Sequence, residues 1–327
     1  MDILLAGSIA YDYLMRFPGK FSDSLIEQSL DKVSLSFLVE EMHKHDGGVS
    51  ANIAYTLALL GARTKLFGTV GRDFGDYGER LEAVGVDTST VVVIDAVFTG
   101  SFFANTDQDN NQIASFYSGA MAFAGDYSIA DVTDSIPDLV VISPNDPRAM
   151  INQVEECVEK GVKFLFDPSQ QVARLDGEVL RRGIEGCEIL ASNAYEWEVI
   201  QKNTGLTLDD LSGKIFVHTL GADGANIYSN GDVIHIPTVK PRDIVDPTGA
   251  GDAFRAGFLR GVSINAPLDV AGRMGSLAGT YALENIGTQN HKFTAMNSWA
   301  DTASSLTMKA SLTFCWLRKR HDRSSLR

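Results

Sequence analysis

The run Asp246-Pro247-Thr248-Gly249-Ala250-Gly251-Asp252-Ala253-Phe254-Arg255-Ala256-Gly257 has the residue types and spacing for chemistry on an anion. Gly249, Ala250 and Gly251 carry almost no side chain, so a ligand can come close to their N–H groups. Apolar, β-branched Ile244 and Val245 lead into this turn, and Phe254, Phe258 and Leu259 follow it as helix packing residues. A helix that starts here adds unpaired amides and the positive end of its dipole, which together favour an anion. Asp252 stands at the same helix start, where its carboxylate would repel a phosphate. Two readings stay open for it: a base that takes a proton from an attacking hydroxyl, or an N-terminal helix cap.

Other nucleotide motifs do not fit. Gly249-Ala250-Gly251-Asp252-Ala253-Phe254 begins like a dinucleotide fingerprint but has Phe254 in place of the third glycine. The strand and ribose-binding acid expected downstream are also missing. No Walker A sequence occurs anywhere, which excludes a P-loop nucleotidase. Asn193 and Glu196 have the spacing of a strand end followed by a first helical turn, and on spacing alone they form a capping box. Thr219-Leu220-Gly221-Ala222-Asp223-Gly224-Ala225 is, by itself, a glycine turn.

Strand-like apolar runs alternating with helical patterns must position these residues, and the alternation favours a mainly parallel sheet covered by helices. Ser50 is placed to cap a helix carrying Ile53, Leu57 and Leu60, stopped at Gly61. A strand over 64–70 and a helix through 77–84 follow. Strand–helix pairs are expected at 139–143 with 150–160, at 163–167 with 177–184, and at 188–192 with 195–204. Leu139-Val140-Val141-Ile142 is apolar on both faces, as a central parallel strand would be. Two segments break the alternation. Residues 98–106 and 112–117 flank Asp107-Gln108-Asp109-Asn110-Asn111 as a hairpin, and residues 10–45 are irregular apart from a strand-like Val33-Ser34-Leu35-Ser36-Phe37. The two are read as a small sheet over the main domain, with ordinary surface excursions as the alternative. Ser229-Asn230-Gly231-Asp232 marks a second hairpin.

Composition bounds the partners. The chain has 327 residues, 44% hydrophobic and 21% charged, with a net charge of −14, which suits a globular protein without attraction for nucleic acid. No apolar run is long enough for a membrane span, and Met1 to Gly7 reads as a first buried strand instead of a secretory signal. Cys157, Cys187 and Cys315 are distant and odd in number, so no disulfide framework or zinc knuckle is expected. A reduced, cytoplasmic protein is the resulting expectation. From Trp316 onward five basic residues oppose Asp322 alone, and this basic terminus contrasts with the acidic body.

The Asp246–Gly257 segment resembles the C-terminal signature of the PfkB/ribokinase family of sugar and nucleoside kinases. The N-terminal partner signature is similar to Gly47-Gly48-Val49-Ser50-Ala51-Asn52, followed by Leu59-Leu60-Gly61-Ala62, Gly68-Thr69-Val70-Gly71-Arg72-Asp73 and Gly85-Val86-Asp87. The resemblance extends over roughly residues 2–293. It implies a ribokinase-like α/β fold of three layers: a kinase domain over 1–293 carrying lid segments at about 10–45 and 96–120, with a divergent basic tail over 294–327. It also implies roles. Asp252 would be the base, and Gly249, Ala250 and Gly251 the anion hole around the transferring phosphoryl group. Asn193 and Glu196 match a motif that orders Mg²⁺ and the phosphates of ATP, largely through water. Thr219, Gly221 and Gly224 would line the nucleotide loop, and Ser276 falls near an adenine-side position. Asp246, with Thr248, matches a loop that holds a monovalent cation such as K⁺ in some relatives. Asp12, with Ser8, Gly48 and Asn52, would grip the hydroxyls of the acceptor, and Gly47-Gly48 resembles the hinge on which the lid closes.

Phe116-Tyr117-Ser118-Gly119-Ala120-Met121 and Ser143-Pro144-Asn145-Asp146-Pro147 look most like adenosine-kinase-like members. A nucleoside acceptor, adenosine first, is therefore favoured over a free sugar such as ribose or fructose. A catalytically silent nucleotide-binding scaffold is the alternative from another class. His43-Lys44-His45 is read as a solvated loop, His218 as a satisfied core histidine, and Cys157 and Cys187 as small buried residues. The chain is expected to act as a monomer or homodimer on a small molecule, with no nucleic-acid or membrane partner.

Overall fold

Leu139–Ile142 forms a strand buried at every position, as its apolar character on both faces requires. The computed structural model describes residues 1–24 and 35–292, and this strand lies inside an eight-stranded sheet. In chain order the strands are β1 (Ile3–Ala6), β2 (Ala10–Arg16), β3 (Glu41–Gly47), β4 (Thr64–Phe67), β5 (Thr69–Gly71), β6 (Val92–Ile94) and β7 (Gly100–Thr106). They continue as β8 (Gln112–Tyr117), β9 (Leu139–Ile142), β10 (Phe164–Phe166), β11 (Ile189–Asn193), β12 (Ile215–Thr219), β13 (Ala225–Ser229) and β14 (Asp232–Ile236). The helices are α1 (Phe21–Ser24), α2 (Val49–Leu59), α3 (Gly75–Val84), α4 (Ile129–Val132), α5 (Pro147–Lys160), α6 (Gly177–Gly186), α7 (Ala194–Thr204), α8 (Ala250–Ser263) and α9 (Leu268–Leu283).

The main sheet runs β14-β13-β12-β11-β10-β9-β1-β4, parallel from β4 to β12 and closed by the antiparallel β12-β13-β14 meander. The Asn230-Gly231 turn of that meander has positive φ at both residues, as a tight hairpin needs. One face packs on α2, α3, α8 and α9 through residues such as Leu57, Leu81, Phe258 and Ala271. The other packs on α5, α6 and α7 through Val154, Leu180, Ile184, Trp197 and Ile200. This is the three-layer ribokinase-like arrangement. Helices α8 and α9 pack with their backbones touching: a Cβ at Gly257 would lie 2.4 Å from the Met274 carbonyl oxygen. Only glycine fits there, and the close packing fixes where α8 begins.

The small sheet forms from the two irregular segments, in the order β3-β2-β7-β8. Asp12 of β2 sits opposite His45 of β3 and Phe102 of β7, and Phe102 sits opposite Phe116 of β8. These four side chains share one face, because directly paired residues point to the same side of a sheet.

Several expectations change. His43-Lys44-His45 is not a solvated loop but part of β3, with the Lys44 Nζ 3.5 Å from the centre of the Tyr11 ring. Residues 35–37 carry no strand, and Val33 and Ser34 of that expected strand lie outside the described residues. The strand over 64–70 is two strands, because a Cβ at Gly68 would come within 2.5 Å of the Gly7 carbonyl, and the chain breaks there. Ser50 does not cap α2; it is buried inside the helix, and Gly48 takes the cap position. The basic terminus, with Cys315, lies outside the described residues. Cys157 and Cys187 are buried and free.

Candidate active site

The amide-rich turn is built as its residue types require. Gly249, in the left-handed region at φ 78°, caps α8. Its carbonyl accepts from the Ala253 amide at 2.9 Å. Among the described residues the amides of Gly249, Gly251 and Asp252 have no protein acceptor and are open to an anion at a helix start. The amide of Ala250, expected in the same anion hole, already donates to the Pro247 carbonyl at 3.3 Å. Asp252 lies in the first turn of α8 and is not its cap, which removes one of the two readings left open above.

The Asp252 carboxylate is held from two sides. Asn52 Nδ2 donates to Oδ2 at 2.8 Å, and Arg255 Nη1 lies 3.4 Å from Oδ1. Burial raises its pKa above the usual carboxylate range, while Arg255 and Asn52 pull it back. Arg255 is itself locked: Nε lies 2.7 Å from Asp167 Oδ2, and Nη2 donates to Asp167 Oδ1 and Ser169 Oγ at 3.0 Å each. Asp167 follows β10 and is fully buried. Burial pushes its carboxyl up to about 7 against the opposing pull of Arg255. Ser169 holds φ 40°, a strained conformation for a residue with a side chain.

The residues expected on the acceptor side meet this cluster from the small sheet. Burial, with the charges of Asp252 and Asp246 behind it, raises the Asp12 carboxyl to about 6. A Cβ at Gly47 would lie 2.7 Å from Asp12 Oδ2, so the carboxylate rests on the bare glycine backbone. Gly48 has φ 93°, and a Cβ there would fall within 2.7 Å of Ser8 O, Ala10 N and Ile9 Cα. Ser8 Oγ accepts from the Val49 amide at 3.0 Å, which ties β1's end to the start of α2. Asn52 is less free than a sugar-gripping residue would be. Its Nδ2 is on Asp252, and its Oδ1 accepts from Gln289 Nε2 at 2.9 Å.

Of the residues expected to meet the nucleotide, Asn193 and Glu196 form a capping box at the start of α7. Asn193 Oδ1 accepts from the Glu196 amide and Glu196 Oε2 from the Asn193 amide, both at 2.8 Å. Glu196 remains part of the charge cluster, acting on Asp252, Asp167 and Arg255. Thr219 ends β12, and Gly221, at φ 62°, opens the turn after it. Gly224 serves packing, since a Cβ there would sit 2.1 Å from the Ile236 carbonyl. The Ser276 hydroxyl donates to Pro237 O at 2.9 Å and accepts from the Val239 amide at 3.0 Å, pinning that connection to α9. Asp246 accepts from the amides of Thr248 and Gly287 at 2.9 Å each, so both oxygens already tie the two loops together. No cluster of three or more His, Cys, Asp or Glu that could hold a metal ion occurs among the described residues. Glu196 Oε2 is taken by the Asn193 amide, and its other oxygen is the carboxylate atom that would order the waters of a Mg²⁺ arriving on phosphates.

Sequence reasoning missed Arg255, Asp167, Gln289 and His45. Arg255 carried a signal, being a charge three residues after Asp252 among apolar helix neighbours. His45 had one only once its pairing with Asp12 was known. His218 corrects another expectation: its Nε2 is buried without a hydrogen-bond partner, and the ring stacks on Phe216.

A family model described as pfkB family carbohydrate kinase matches residues 8–295. The chain is 32% identical over 295 residues to a nucleoside kinase of Methanothermobacter thermautotrophicus, covering 89% of this chain and 92% of the relative. Among solved structures it is similar to the Burkholderia thailandensis nucleoside kinase in complex with inosine, at TM-score 0.82 and 34% identity over 93% of this chain and 98% of the other. The Methanocaldococcus jannaschii nucleoside kinase, an archaeal ribokinase-family member, superposes at TM-score 0.82 with 26% identity, covering 93% of this chain and 98% of that one. The chain belongs to the pfkB family of carbohydrate kinases, as a kinase of nucleosides or sugars.

Proposed function

We propose that the protein is an ATP-dependent nucleoside kinase that phosphorylates the hydroxymethyl group of a purine nucleoside, adenosine or inosine, with Asp252 as base. The observation that carries this reading is the pairing of the Asp252 carboxylate with two open amides, Gly251 and Asp252, at one helix start. A base and an anion site within one turn suit a hydroxyl attacking a phosphoryl group. Asp252 takes the proton as the hydroxyl attacks, and the amides hold the negative oxygens of the group in transfer. Mg²⁺ bound to ATP would supply charge neutralisation, and Glu196 would order the waters of that ion. No step is assigned to K⁺.

Asp12 is the proposed acceptor grip, reaching vicinal hydroxyls from the small sheet, which acts as a lid. The choice of nucleoside over free sugar is supported by the face that Asp12 shares with His45, Phe102 and Phe116. Phe116 is 49% exposed, which leaves an aromatic surface for a base to stack on. Two relatives, 32% and 28% identical and each matched over 92% of its length, are nucleoside kinases. A nucleoside kinase 34% identical to this chain was solved with inosine bound, whereas ribokinase and phosphofructokinase relatives match at 28% and 25%. An ADP-release assay over adenosine, inosine, cytidine, ribose and fructose tests the reading. Purine nucleosides should give the highest kcat/KM. Preferred turnover of ribose or fructose would make the protein a sugar kinase, and no turnover of any would make it a binding scaffold.

A further inference from the structure

The hydrogen bonds that reach Asp252 do not end at Asn52. Gln289 Nε2 has two N–H groups and two acceptors, Asn52 Oδ1 at 2.9 Å and the Tyr77 hydroxyl oxygen at 2.5 Å. Tyr77 in turn donates its single proton to the Gly47 carbonyl at 2.8 Å. Each donor and acceptor in this chain has one consistent direction. Because Gln289 occupies Asn52 Oδ1, the amide nitrogen of Asn52 must face Asp252; flipped, its carbonyl oxygen would oppose the carboxylate. Tyr77 is fully buried and Asn52 nearly so, which makes an unmade bond in this chain costly.

The same loop grips the end of β3 independently, since Thr288 Oγ1 donates to the Asp46 carbonyl at 2.8 Å. Residues 288 and 289 thus hold Asp46 and Gly47, next to the left-handed Gly48, on one side and the Asp252–Asn52 pair on the other. We propose that Gln289 is a positioning residue that sets the orientation of the Asp252 carboxylate through Asn52 and couples it, through Tyr77, to the Gly47-Gly48 hinge beneath the small sheet. The proposal rests on the reading of Asp252 as base. Its consequence is that the base is correctly aimed only while the hinge is in place.

The test compares Gln289→Met, which keeps the length and removes the donor, with Tyr77→Phe and Asp252→Asn. The charged groups facing Asp252 are Arg255 from its own helix, Glu196 from α7, Asp12 from β2 and Asp167 after β10, and none changes in these first two variants. Gln289→Met should lower kcat by about tenfold or more, the scale of a misaimed catalytic group. It should move the acid limb of the pH–rate profile upward, because a carboxylate that loses a hydrogen bond becomes harder to ionise. The KM for ATP should stay within about twofold of wild type on the same reasoning. Tyr77→Phe, which removes both bonds between Gln289 and the Gly47 carbonyl, should raise the KM for the nucleoside and move the acid limb upward by less than Gln289→Met does. An unmoved acid limb with a normal KM in this variant overturns the coupling to the hinge. In the Asp252→Asn background, Gln289→Met should cause no further loss of the residual rate. If circular dichroism shows Gln289→Met to be unfolded, Gln289→Asn carries the same prediction, its amide being one methylene short of both acceptors. An unmoved acid limb with normal kcat in the Gln289 variant overturns the proposal while leaving Asp252 as base. Near-normal turnover by Asp252→Asn removes the base, and this proposal with it.

Discussion

Arg255 and Asp167 offer a perturbation that separates stability from activity. Arg255→Met leaves Asp167, fully buried and held at 2.7 and 3.0 Å by the guanidinium, without its cation. Removing one member of a buried pair costs about 3–5 kcal/mol, and at about 2–4 °C per kcal/mol for a large domain melting should fall by roughly 6 °C or more. The double variant Asp167→Leu, Arg255→Met removes both charges and should recover most of that loss. Activity should not recover. A unit charge 3.4 Å from Asp252 Oδ1 is worth about 5 kcal/mol at an effective dielectric constant of 20, so both variants should show an acid limb moved to higher pH and a lower rate at neutrality. The pH dependence of melting has a definite sign. A carboxyl whose folded pKa is raised, as burial raises Asp167 to about 7, holds a proton in the native state that the unfolded chain has released. Such a group favours folding at low pH and disfavours it as pH rises through the folded value. Without Arg255 the rise is larger, so the deficit of Arg255→Met should be greatest near pH 8 and shrink toward pH 5. Differential scanning fluorimetry across that range, with steady-state kinetics, makes the comparison. A double variant with wild-type kinetics, or a single variant that melts with wild type at pH 8, would refute the assignment.

Two further outcomes follow from the proposed hinge and the proposed acceptor carboxylate. Gly48→Ala combines a left-handed φ of 93° with a Cβ inside 2.7 Å of three backbone atoms. It should destabilise by about 2–4 kcal/mol and raise the nucleoside KM; a melt within a degree of wild type would count against the hinge geometry. Asp12→Asn should raise the nucleoside KM by at least tenfold, on the order expected for a lost charged hydrogen bond. Because burial raises the Asp12 carboxyl to about 6, the same change should stabilise the ligand-free protein above that pH and not at pH 4.

Much of the frame is legible in the sequence. Leu139–Ile142 is apolar on both faces, which suits the central strand it forms, and the Asn230-Gly231 turn specifies its own hairpin. The glycine turn at 249–251 also announced itself, because its chemistry is local. What escaped was set by residues far apart in sequence. Gly68 breaks a strand only because the Gly7 carbonyl faces it. Ser50 would cap a helix if Gly48 did not already turn the chain there. Gln289 and Asn52 are neighbours despite a separation of 237 residues, and no spacing rule pairs them. Arg255 shows the reverse case: a charge on a buried face is conspicuous, yet its partner Asp167 comes from another layer. Asn193 and Glu196 show a third, where the capping geometry and the proposed ligand role use the same two side chains.

The central claim is that Asp252 deprotonates a nucleoside hydroxyl as the phosphoryl group arrives. The most direct measurement follows ADP and the nucleoside 5′-monophosphate together, for wild type and Asp252→Asn, with ATP, Mg²⁺ and inosine or adenosine. Wild type should form the two products in equal amounts. The variant should lose about 10²–10⁴ in kcat, the contribution of a general base, while binding ATP as before. Near-normal turnover by Asp252→Asn, or ADP formed by wild type without a nucleotide product, would contradict the account.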